Sequence, residues 1–227
     1  MSARDRLQDQ VKRGLVYAMD ERLAAHYERH LVEDCHYRTP DVVAQQLVEH
    51  RASGRWLDLG AGTGLVGKAA LRLGLRIDFI AVDMSEAMLR LIDCPLYVAW
   101  KCADVAERLP FDDEGFDGVV AAGLFEHIVE PGLVLREAAR LLQPGGLFVF
   151  TFPANRAGRT ELEDSDEGLV SHDAERMRAD LASSGLTATY ALSFPAYRSG
   201  SKGWVTHHLV GGVRTVRSDR GQEFRIC

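Results

Sequence analysis

A glycine-rich turn after a short apolar run has the residue types and spacing best suited to hold a ligand. Asp58 lies in the run Trp56–Leu59, and glycine then occupies every second position at Gly60, Gly62 and Gly64. Glycine permits positive φ and lets a ligand approach the backbone closely. The helical pattern that follows would present unpaired N–H groups and a positive helix end to that ligand. The turn therefore predicts a site for an anionic or strongly polar group.

Two classes of cofactor fit this turn. The segment Gly62–Gly67 matches the G-x-G-x-x-G pattern of dinucleotide-binding proteins, although a lone match of this kind is weak evidence. The alternative pattern is acid-x-Gly-x-Gly-x-Gly, which runs from Asp58 to Gly64. The choice between the two patterns depends on the segments that follow.

Short apolar runs alternate with helical patterns along most of the chain and would position this turn. The alternation predicts βαβ units, a parallel sheet and right-handed crossovers. A short turn region joins the last two runs, which forces an antiparallel hairpin because a parallel return needs a longer crossover. The predicted strands are Trp56–Leu59, Phe79–Val82, Tyr97–Lys101, Gly118–Ala122, Gly146–Phe152, Thr187–Ser193 and Trp204–Val210, and the predicted helices between the first five are Val66–Leu73, Ser85–Ile92, Val105–Leu109 and Leu133–Leu142.

Four later segments stand where these predicted elements end. Asp83 ends the second strand, where it could accept two ribose hydroxyl groups in either cofactor class. The segment Ala103-Asp104-Val105 follows the third strand, Leu109–Asp117 leads to the fourth, and Leu141–Gly146 leads to the fifth through a Pro-Gly-Gly turn. Taken singly, Asp104 suits a helix cap and the turn suits many α/β proteins. Their order, spaced by whole strand–helix units, is the specific signal.

This ordered set resembles the class I S-adenosylmethionine-dependent methyltransferases, in particular their UbiE-like, type 11 group. The resemblance implies a three-layer α/β fold, Rossmann-like and doubly wound, with a seven-stranded, mostly parallel sheet and a C-terminal antiparallel hairpin. It also implies S-adenosylmethionine as cofactor and S-adenosylhomocysteine as product. The cofactor-binding residues that it implies are Tyr27, Arg38, Asp58, Gly60, Ala61, Gly62, Gly64, Asp83, Met84, Met88, Ala103, Asp104, Val105 and Ala122.

The segment after the fourth predicted strand carries the candidates for the acceptor side. We expect His127 to be the general base, because imidazole titrates near neutral pH and ligands bind at this edge of open α/β sheets. A packed or helix-capping ring is the alternative. Glu126 is expected to face a cationic acceptor, with a solvated acid as the alternative. The other candidate acceptor contacts are Tyr37, Phe125, Pro153 and His172.

The flanking segments are expected to cover the site. The predicted divisions are a helical lid at 1–50, a cofactor-binding domain at 51–213 and a flexible tail at 214–227. In the lid, helical spacing covers Arg4–Arg29, and Val42–His50 follows Pro40, which suits the first turn of a helix. The long connection Phe152–His172, with its acidic stretch Glu161–Glu167, is either a second wall or a solvated loop.

Composition narrows the classes of partner. The 227 residues carry a formal net charge of -6, which does not favour a nucleic-acid partner. No run approaches the roughly 20 apolar residues that span a bilayer, and the polar start is not a secretory signal. The four cysteines form no CxxC pair. His207 and His208 are adjacent, so on a strand their rings would face opposite sides, which argues against a shared metal.

From these observations we expect a cytoplasmic enzyme, monomeric or homodimeric, without a metal. It would methylate an oxygen, nitrogen or carbon atom of a small-molecule metabolite, with no nucleic-acid or membrane partner. The alternatives are methylation of a protein side chain, a non-catalytic module that binds S-adenosylmethionine, and a nicotinamide-dependent oxidoreductase.

Overall fold

The computed structural model describes residues 21–155, 161–164, 169–200 and 203–215. The helices are α1 (Glu21–Arg29), α2 (Thr39–Glu49), α3 (Leu65–Arg72), α4 (Glu86–Leu89), α5 (Pro131–Leu141) and α6 (Ala174–Ser183), with a π-helical turn at His30–Asp34 and a 3-10 turn at Phe125–His127. The strands are β1 (Gly54–Leu59), β2 (Ile77–Asp83), β3 (Tyr97–Cys102), β4 (Phe116–Ala121), β5 (Leu142–Asn155), β6 (Glu161–Asp164), β7 (Leu169–Asp173), β8 (Leu186–Ser199) and β9 (Gly203–Arg214).

Seven of these strands form the central sheet, in the order β3-β2-β1-β4-β5-β9-β8. The strands β1 to β5 run parallel, and β9 lies antiparallel to both β5 and β8. The predicted seven-stranded sheet with its antiparallel hairpin is therefore confirmed. The order in which successive strands are added to the sheet reverses between β1 and β4, because β2 and β3 lie on one side of β1 and β4 and β5 lie on the other. The carboxyl ends of β1 and β4 therefore border a crevice where ligands bind in such folds.

Both faces of the sheet are buried. On one face Phe148 and Phe150 of β5 pack with residues of α5 and α6, and on the other face Val149 packs with Trp56 and with residues of α2 and α3. This covering of both faces explains why β1 and β5 are almost continuously apolar. The predicted three-layer arrangement is confirmed.

Several predicted elements need correction. The predicted helix Val105–Leu109 is a turn, because Asp104 accepts a hydrogen bond from the Ala106 N–H at 2.8 Å and Pro110 follows. Of the predicted helix Ser85–Ile92, only α4 is regular, and the chain then continues in turns. The helix α6 and the short strands β6 and β7 were not predicted. The strand β7 pairs with the end of β5 and β6 pairs with β7, so part of the predicted acidic loop is sheet.

The N-terminal segment is part of the main core. Val43, Ala44 and Leu47 of α2 are fully buried against the sheet, so packing continues across the predicted boundary at residue 50. At the other end, Arg214 is still part of β9 and donates a hydrogen bond to Glu114 at 2.8 Å. The predicted helix before residue 21 and most of the predicted tail, residues 216–227, lie outside the described residues. The lid and tail functions remain predictions.

Candidate active site

The glycine-rich turn after β1 is held in a conformation that only glycine adopts readily. Gly60, Gly62 and Gly64 have φ values of +69°, +53° and +79°. The N–H groups of Gly60 and Ala61 donate to the Val82 carbonyl at 2.8 and 3.1 Å, which joins the turn to the end of β2. A Cβ at Gly62 would meet no atom within 4 Å, so the backbone there faces open space.

Asp83, at the end of β2, closes this turn from the neighbouring strand. Its Oδ2 accepts a hydrogen bond from the Gly62 N–H at 2.9 Å, and its Oδ1 accepts one from the Ser85 N–H at 2.8 Å. Burial raises the pKa of Asp83, and the backbone hydrogen bonds oppose the rise. An ionised carboxylate offers about four lone-pair positions. The backbone bonds leave part of this capacity for the hydroxyl groups of a ligand.

Asp58 is buried beneath the turn and is held by a tyrosine that sequence reasoning missed. The Tyr97 hydroxyl donates to Asp58 Oδ2 at 2.5 Å and accepts a hydrogen bond from the Gly67 N–H at 3.1 Å. Burial raises the pKa of Asp58 to about 7, although the bond from Tyr97 lowers it. Within the described part of the chain, Asp58 Oδ1 is buried without a hydrogen-bond partner. Such an oxygen is suited to a polar group of a bound molecule.

Tyr97 also explains the third glycine of the G-x-G-x-x-G match. A Cβ at Gly67 would lie 2.2 Å from Tyr97 Cε2. Gly67 therefore makes room in α3 for the ring that holds Asp58. This packing accounts for the glycine without a dinucleotide.

The other residues predicted to bind the cofactor lie at or just after the ends of β2, β3 and β4. Met84 is 37% exposed beside Asp83, whereas Met88 and Val105 are buried. Ala103, Asp104 and Ala122 are half-buried. Their contacts with a cofactor remain predictions.

A second group of side chains meets just beyond β4, at Gly123. The Gly123 N–H donates to Thr151 Oγ1 at 3.0 Å, and its φ is +70°. A Cβ at this position would lie 2.2 Å from Tyr37 Oη and 3.2 Å from Glu126 Oε1. The structure thus brings together Tyr37 and Glu126, two of the predicted acceptor contacts. Tyr27, at 40% exposure, and Arg38 lie in the same N-terminal segment, with the Arg38 guanidinium 6.0 Å from the Trp204 ring centroid.

Glu126 is buried rather than solvated, and its partner is His207. The carboxylate is 7% exposed, which makes the solvated-acid interpretation wrong. His207 Nε2 lies 3.3 Å from Glu126 Oε2, and the ring is fully buried. Burial acts to raise the pKa of Glu126, but His207, with a smaller contribution from His127, outweighs it and lowers this pKa. Because of this pairing, the Glu126 carboxylate stays ionised at neutral pH although it is buried.

His207 is a site residue that sequence reasoning missed. The expected opposite orientation of the two adjacent histidines on β9 is confirmed, because His208 stacks on Phe152 with ring centroids 5.6 Å apart, whereas His207 packs edge-on against Tyr197 at 5.5 Å. Pro153 lies opposite His207 in the ladder between β5 and β9. The available signal was the alternation along β9, which puts His207 on the same face as the buried Leu209.

The remaining candidates lie on either side of the turn Phe125–His127. His127 is half-buried, and its charge acts to lower the pKa of both Asp83 and Glu126. His172 Nε2 donates to the Phe125 carbonyl at 2.8 Å, and both side chains are buried. Their contact supports the turn from beneath. The base function of His127 and the acceptor contacts of Phe125 and His172 remain predictions.

Two findings on the described residues concern spanning helices and clusters of metal-binding side chains. No helix among them is long and apolar enough to cross a bilayer. They also contain no group of three or more His, Cys, Asp or Glu side chains that could hold a metal ion.

Known proteins resemble this chain in fold and in part of its sequence. A Burkholderia thailandensis 1,6-didemethyltoxoflavin-N1-methyltransferase superposes with a TM-score of 0.70 at 20% identity, over 95% of this chain and 92% of that one. A Haloferax volcanii putative methyltransferase, solved in complex with the Trm112 methyltransferase activator, gives 0.67 at 21% identity, over 86% and 97%. At such identities these likenesses establish the fold.

Sequence comparison covers part of the chain. The demethylmenaquinone methyltransferase of Clavibacter sepedonicus is 35% identical over 144 residues, 61% of this chain and 58% of the relative. A ubiquinone biosynthesis O-methyltransferase of Alkalilimnicola ehrlichii is 33% identical over 118 residues, 49% and 46% of the two chains. The chain spans about half the length of the curated relatives it matches. Residues 57–150 match the family model described as methyltransferase domain.

The match begins at β1 and ends within β5, so it contains the glycine turn, Asp83 and the segment after β4. Over these residues the chain is similar to the methyltransferase domain family, and the predicted resemblance to the class I S-adenosylmethionine-dependent methyltransferases is confirmed.

Proposed function

We propose that the protein binds S-adenosylmethionine and transfers its methyl group to an oxygen, nitrogen or carbon atom of a small molecule. The observation that carries this proposal is the contact between the glycine turn and Asp83, in which Gly62 N–H donates to Asp83 Oδ2 at 2.9 Å. This contact sets a carboxylate with free lone pairs beside an exposed backbone. The names of the relatives, which include a quinone and a toxoflavin-precursor methyltransferase, support a small-molecule acceptor.

The residues present fit such a cofactor. Asp83 offers acceptors for two ribose hydroxyl groups, and the open space at Gly62 admits the chain that joins ribose to amino acid. The unpartnered Asp58 Oδ1 suits a donor of that polar chain. The cofactor supplies a methyl group already activated by a positive sulfur. The protein then has to hold the acceptor in line with that methyl group at about 3–3.5 Å and exclude water.

Calorimetric titration with S-adenosylhomocysteine and, separately, NADH tests the proposal. We expect the former alone to bind, and Asp83→Asn to weaken its binding about 10- to 100-fold, because hydrogen bonds to a charged acceptor are lost. Asp78→Asn is the matched control, since Asp78 is an exposed carboxylate at the other end of β2. Binding of NADH alone, or equal effects of the two substitutions, would refute the proposal.

Labelled S-adenosylmethionine then separates the catalytic alternatives. Methyl transfer to a member of a metabolite panel supports the proposed activity. Transfer only to polypeptides would favour a protein methyltransferase instead. Tight binding with no transfer to either class would favour a non-catalytic binding module.

A further inference from the structure

Glu126 and His207, with Tyr37 and Tyr197 beside them, form a polar cluster in which the buried carboxylate and imidazole have more hydrogen-bonding capacity than their contacts use. Within the described part of the chain, Glu126 Oε2 and both ring nitrogens of His207 are buried without a hydrogen bond of good geometry. The 3.3 Å separation of Nε2 and Oε2 is an ion-pair distance, but the hydrogen-bond geometry is poor. Leaving such groups unpaired is costly, so a cluster of this kind calls for a further partner.

The two oxygens of Glu126 face different neighbours. Oε2 faces His207, whereas Oε1 and Tyr37 Oη both lie against Gly123, 3.2 Å and 2.2 Å from the position of a Cβ there. The phenol of Tyr37 and Oε1 therefore border the same space beside Gly123. Its pKa is raised well above its usual value, first by burial and then by the charge of Glu126. The chain thus shows with its own side chain that this space accommodates an aromatic hydroxyl group.

Tyr37 sits on a segment that is held mainly through its backbone. His36, the preceding residue, has a φ of +51°, which is uncommon for a non-glycine residue. The Arg38 N–H donates to the Ala196 carbonyl at 2.8 Å, and the Arg198 N–H donates to the Cys35 carbonyl at 2.7 Å. These bonds fix the segment against β8 on either side of Tyr37.

We infer that Glu126 binds the hydroxyl group of an aromatic acceptor in the space that the Tyr37 phenol covers, with His207 as the positioning residue that keeps Glu126 ionised. This inference rests on the proposed function and names its acceptor class. A cationic acceptor, which the sequence suggested, suits the site less well because His207 already lies against the carboxylate. Phe194 and Tyr197, packed against the His207 ring at 6.3 and 5.5 Å, give the cluster aromatic walls.

The chemistry balances with these groups. As the acceptor oxygen forms its bond to the methyl carbon, the carbon–sulfur bond breaks and its electron pair stays on sulfur. The hydroxyl proton passes to Glu126 Oε1. Glu126 is thus the group that touches the acceptor, and His207 acts through it.

The test measures, by calorimetry, the binding of three probes to the protein saturated with S-adenosylhomocysteine. The probes are 4-nitrocatechol, 1,2-dimethoxy-4-nitrobenzene, which lacks the hydroxyl groups, and phenethylamine, which carries a cation instead. We expect only 4-nitrocatechol to bind, and to bind Tyr37→Ala at least about 10-fold more tightly than the unchanged protein. Glu126→Gln in the Tyr37→Ala background should reverse that gain about 10-fold or more.

A spectroscopic measurement distinguishes a positioning role of His207 from a merely structural one. Beside an ionised carboxylate, bound 4-nitrocatechol should form its coloured phenolate at a higher pH than in solution. His207→Gln should reduce this upward shift in the pH at which the phenolate forms, because Glu126 loses the partner that keeps it ionised. His208→Gln is the matched control, because His208 lies on the opposite face of the same strand. It should leave the shift in the pH of phenolate formation unchanged.

Each outcome decides the inference. Preferential binding of phenethylamine would overturn the acceptor class, and an unchanged affinity in the Glu126→Gln variant would overturn the role of the carboxylate. Binding of no probe to Tyr37→Ala protein that still binds S-adenosylhomocysteine would overturn the site itself. Failure to bind S-adenosylhomocysteine would instead count against the proposed function. Should Glu126→Gln not fold, the comparison of the three probes on Tyr37→Ala remains decisive.

Discussion

At the scale of single residues, Asp58 is a buried carboxyl group with only one oxygen paired. Its Oδ2 accepts the bond from Tyr97, while Oδ1 is buried and free within the described residues. Burial of this kind disfavours the charged form. The residue therefore weakens the fold at neutral pH, in the manner of groups retained for ligand binding.

The replacement Asp58→Asn tests this cost. The pKa of Asp58 is raised to about 7 by burial, with a smaller contribution from the charge of Asp83. Between about pH 4 and pH 7 the unfolded chain loses its proton while the folded chain keeps it, so this group's contribution to stability falls as pH rises. Asparagine does not titrate. The variant should gain a few kcal/mol of unfolding free energy relative to the unchanged protein between pH 5 and pH 8.

Urea unfolding at the two pH values measures this difference. Asp78→Asn, which removes an exposed carboxylate from β2, should show no comparable gain. A stability difference between Asp58→Asn and the unchanged protein that is equal at both pH values would mean that Asp58 is ionised in the fold. The same variant should also weaken S-adenosylhomocysteine binding if Oδ1 contacts the ligand.

At the scale of elements, α1 is attached to α3, the helix that follows the glycine-rich turn, by a lysine. Lys68 of α3 contacts Glu28 of α1 at 3.0 Å and Asp93 at 3.2 Å, with 23% of its side chain exposed. Burial lowers the pKa of Lys68, but the two carboxylates outweigh it and raise the value. By contrast, α2 is held by its fully buried Val43, Ala44 and Leu47. The ion pair thus matters more for α1 than any pair matters for α2.

Replacement of Lys68 by methionine should loosen α1 selectively. We expect the global unfolding free energy to change by about 1 kcal/mol or less, because the pair is partly exposed. Hydrogen exchange over residues 21–36 should accelerate, as followed by mass spectrometry. Arg72→Met is the matched control one turn along α3, since Arg72 pairs with Asp41 of α2 and both are exposed. Equal acceleration in the two variants would contradict the assigned attachment.

At the scale of the whole molecule, the neighbouring strands β1 and β4 make a close side-chain contact inside the core. A Cβ at Gly118 of β4 would lie 2.3 Å from the Trp56 ring of β1. Trp56 is 2% exposed, and its Nε1–H donates to the Ser53 carbonyl at 2.9 Å. The ring is therefore fixed on both sides and cannot move aside without losing a hydrogen bond.

The variant Gly118→Ala should lose about 1–3 kcal/mol of unfolding free energy, as expected for an overpacked core. Gly212→Ala on β9 is the control, because its Cβ would be 3.5 Å from Leu181, an ordinary contact. Denaturant unfolding of both variants gives the comparison. Adding Trp56→Leu to Gly118→Ala should cost less than the sum of the single changes, since the ring causes the clash. Strict additivity would show that the clash is relieved elsewhere.

Much of this architecture was predictable because it depends on local rules. The glycine spacing predicted the glycine-rich turn after β1. Strand–helix alternation predicted the parallel sheet, and the short turn before β9 predicted the antiparallel hairpin. Errors arose where local signals were weak, as at the turn after Asp104, whose side chain competes with helix formation by bonding the backbone. The short pair β6 and β7 also had no apolar alternation to reveal it.

By itself, then, the sequence determined the fold and the place of the glycine-rich turn, because backbone conformation and periodicity are properties of neighbouring residues. Only the tertiary structure decided the partners of buried polar groups. Tyr97 reaches Asp58 from 39 residues away, and His207 reaches Glu126 from β9. A buried carboxyl needs a partner, but any donor that the packing brings within reach can satisfy it. Sequence separation carries no information about which one does.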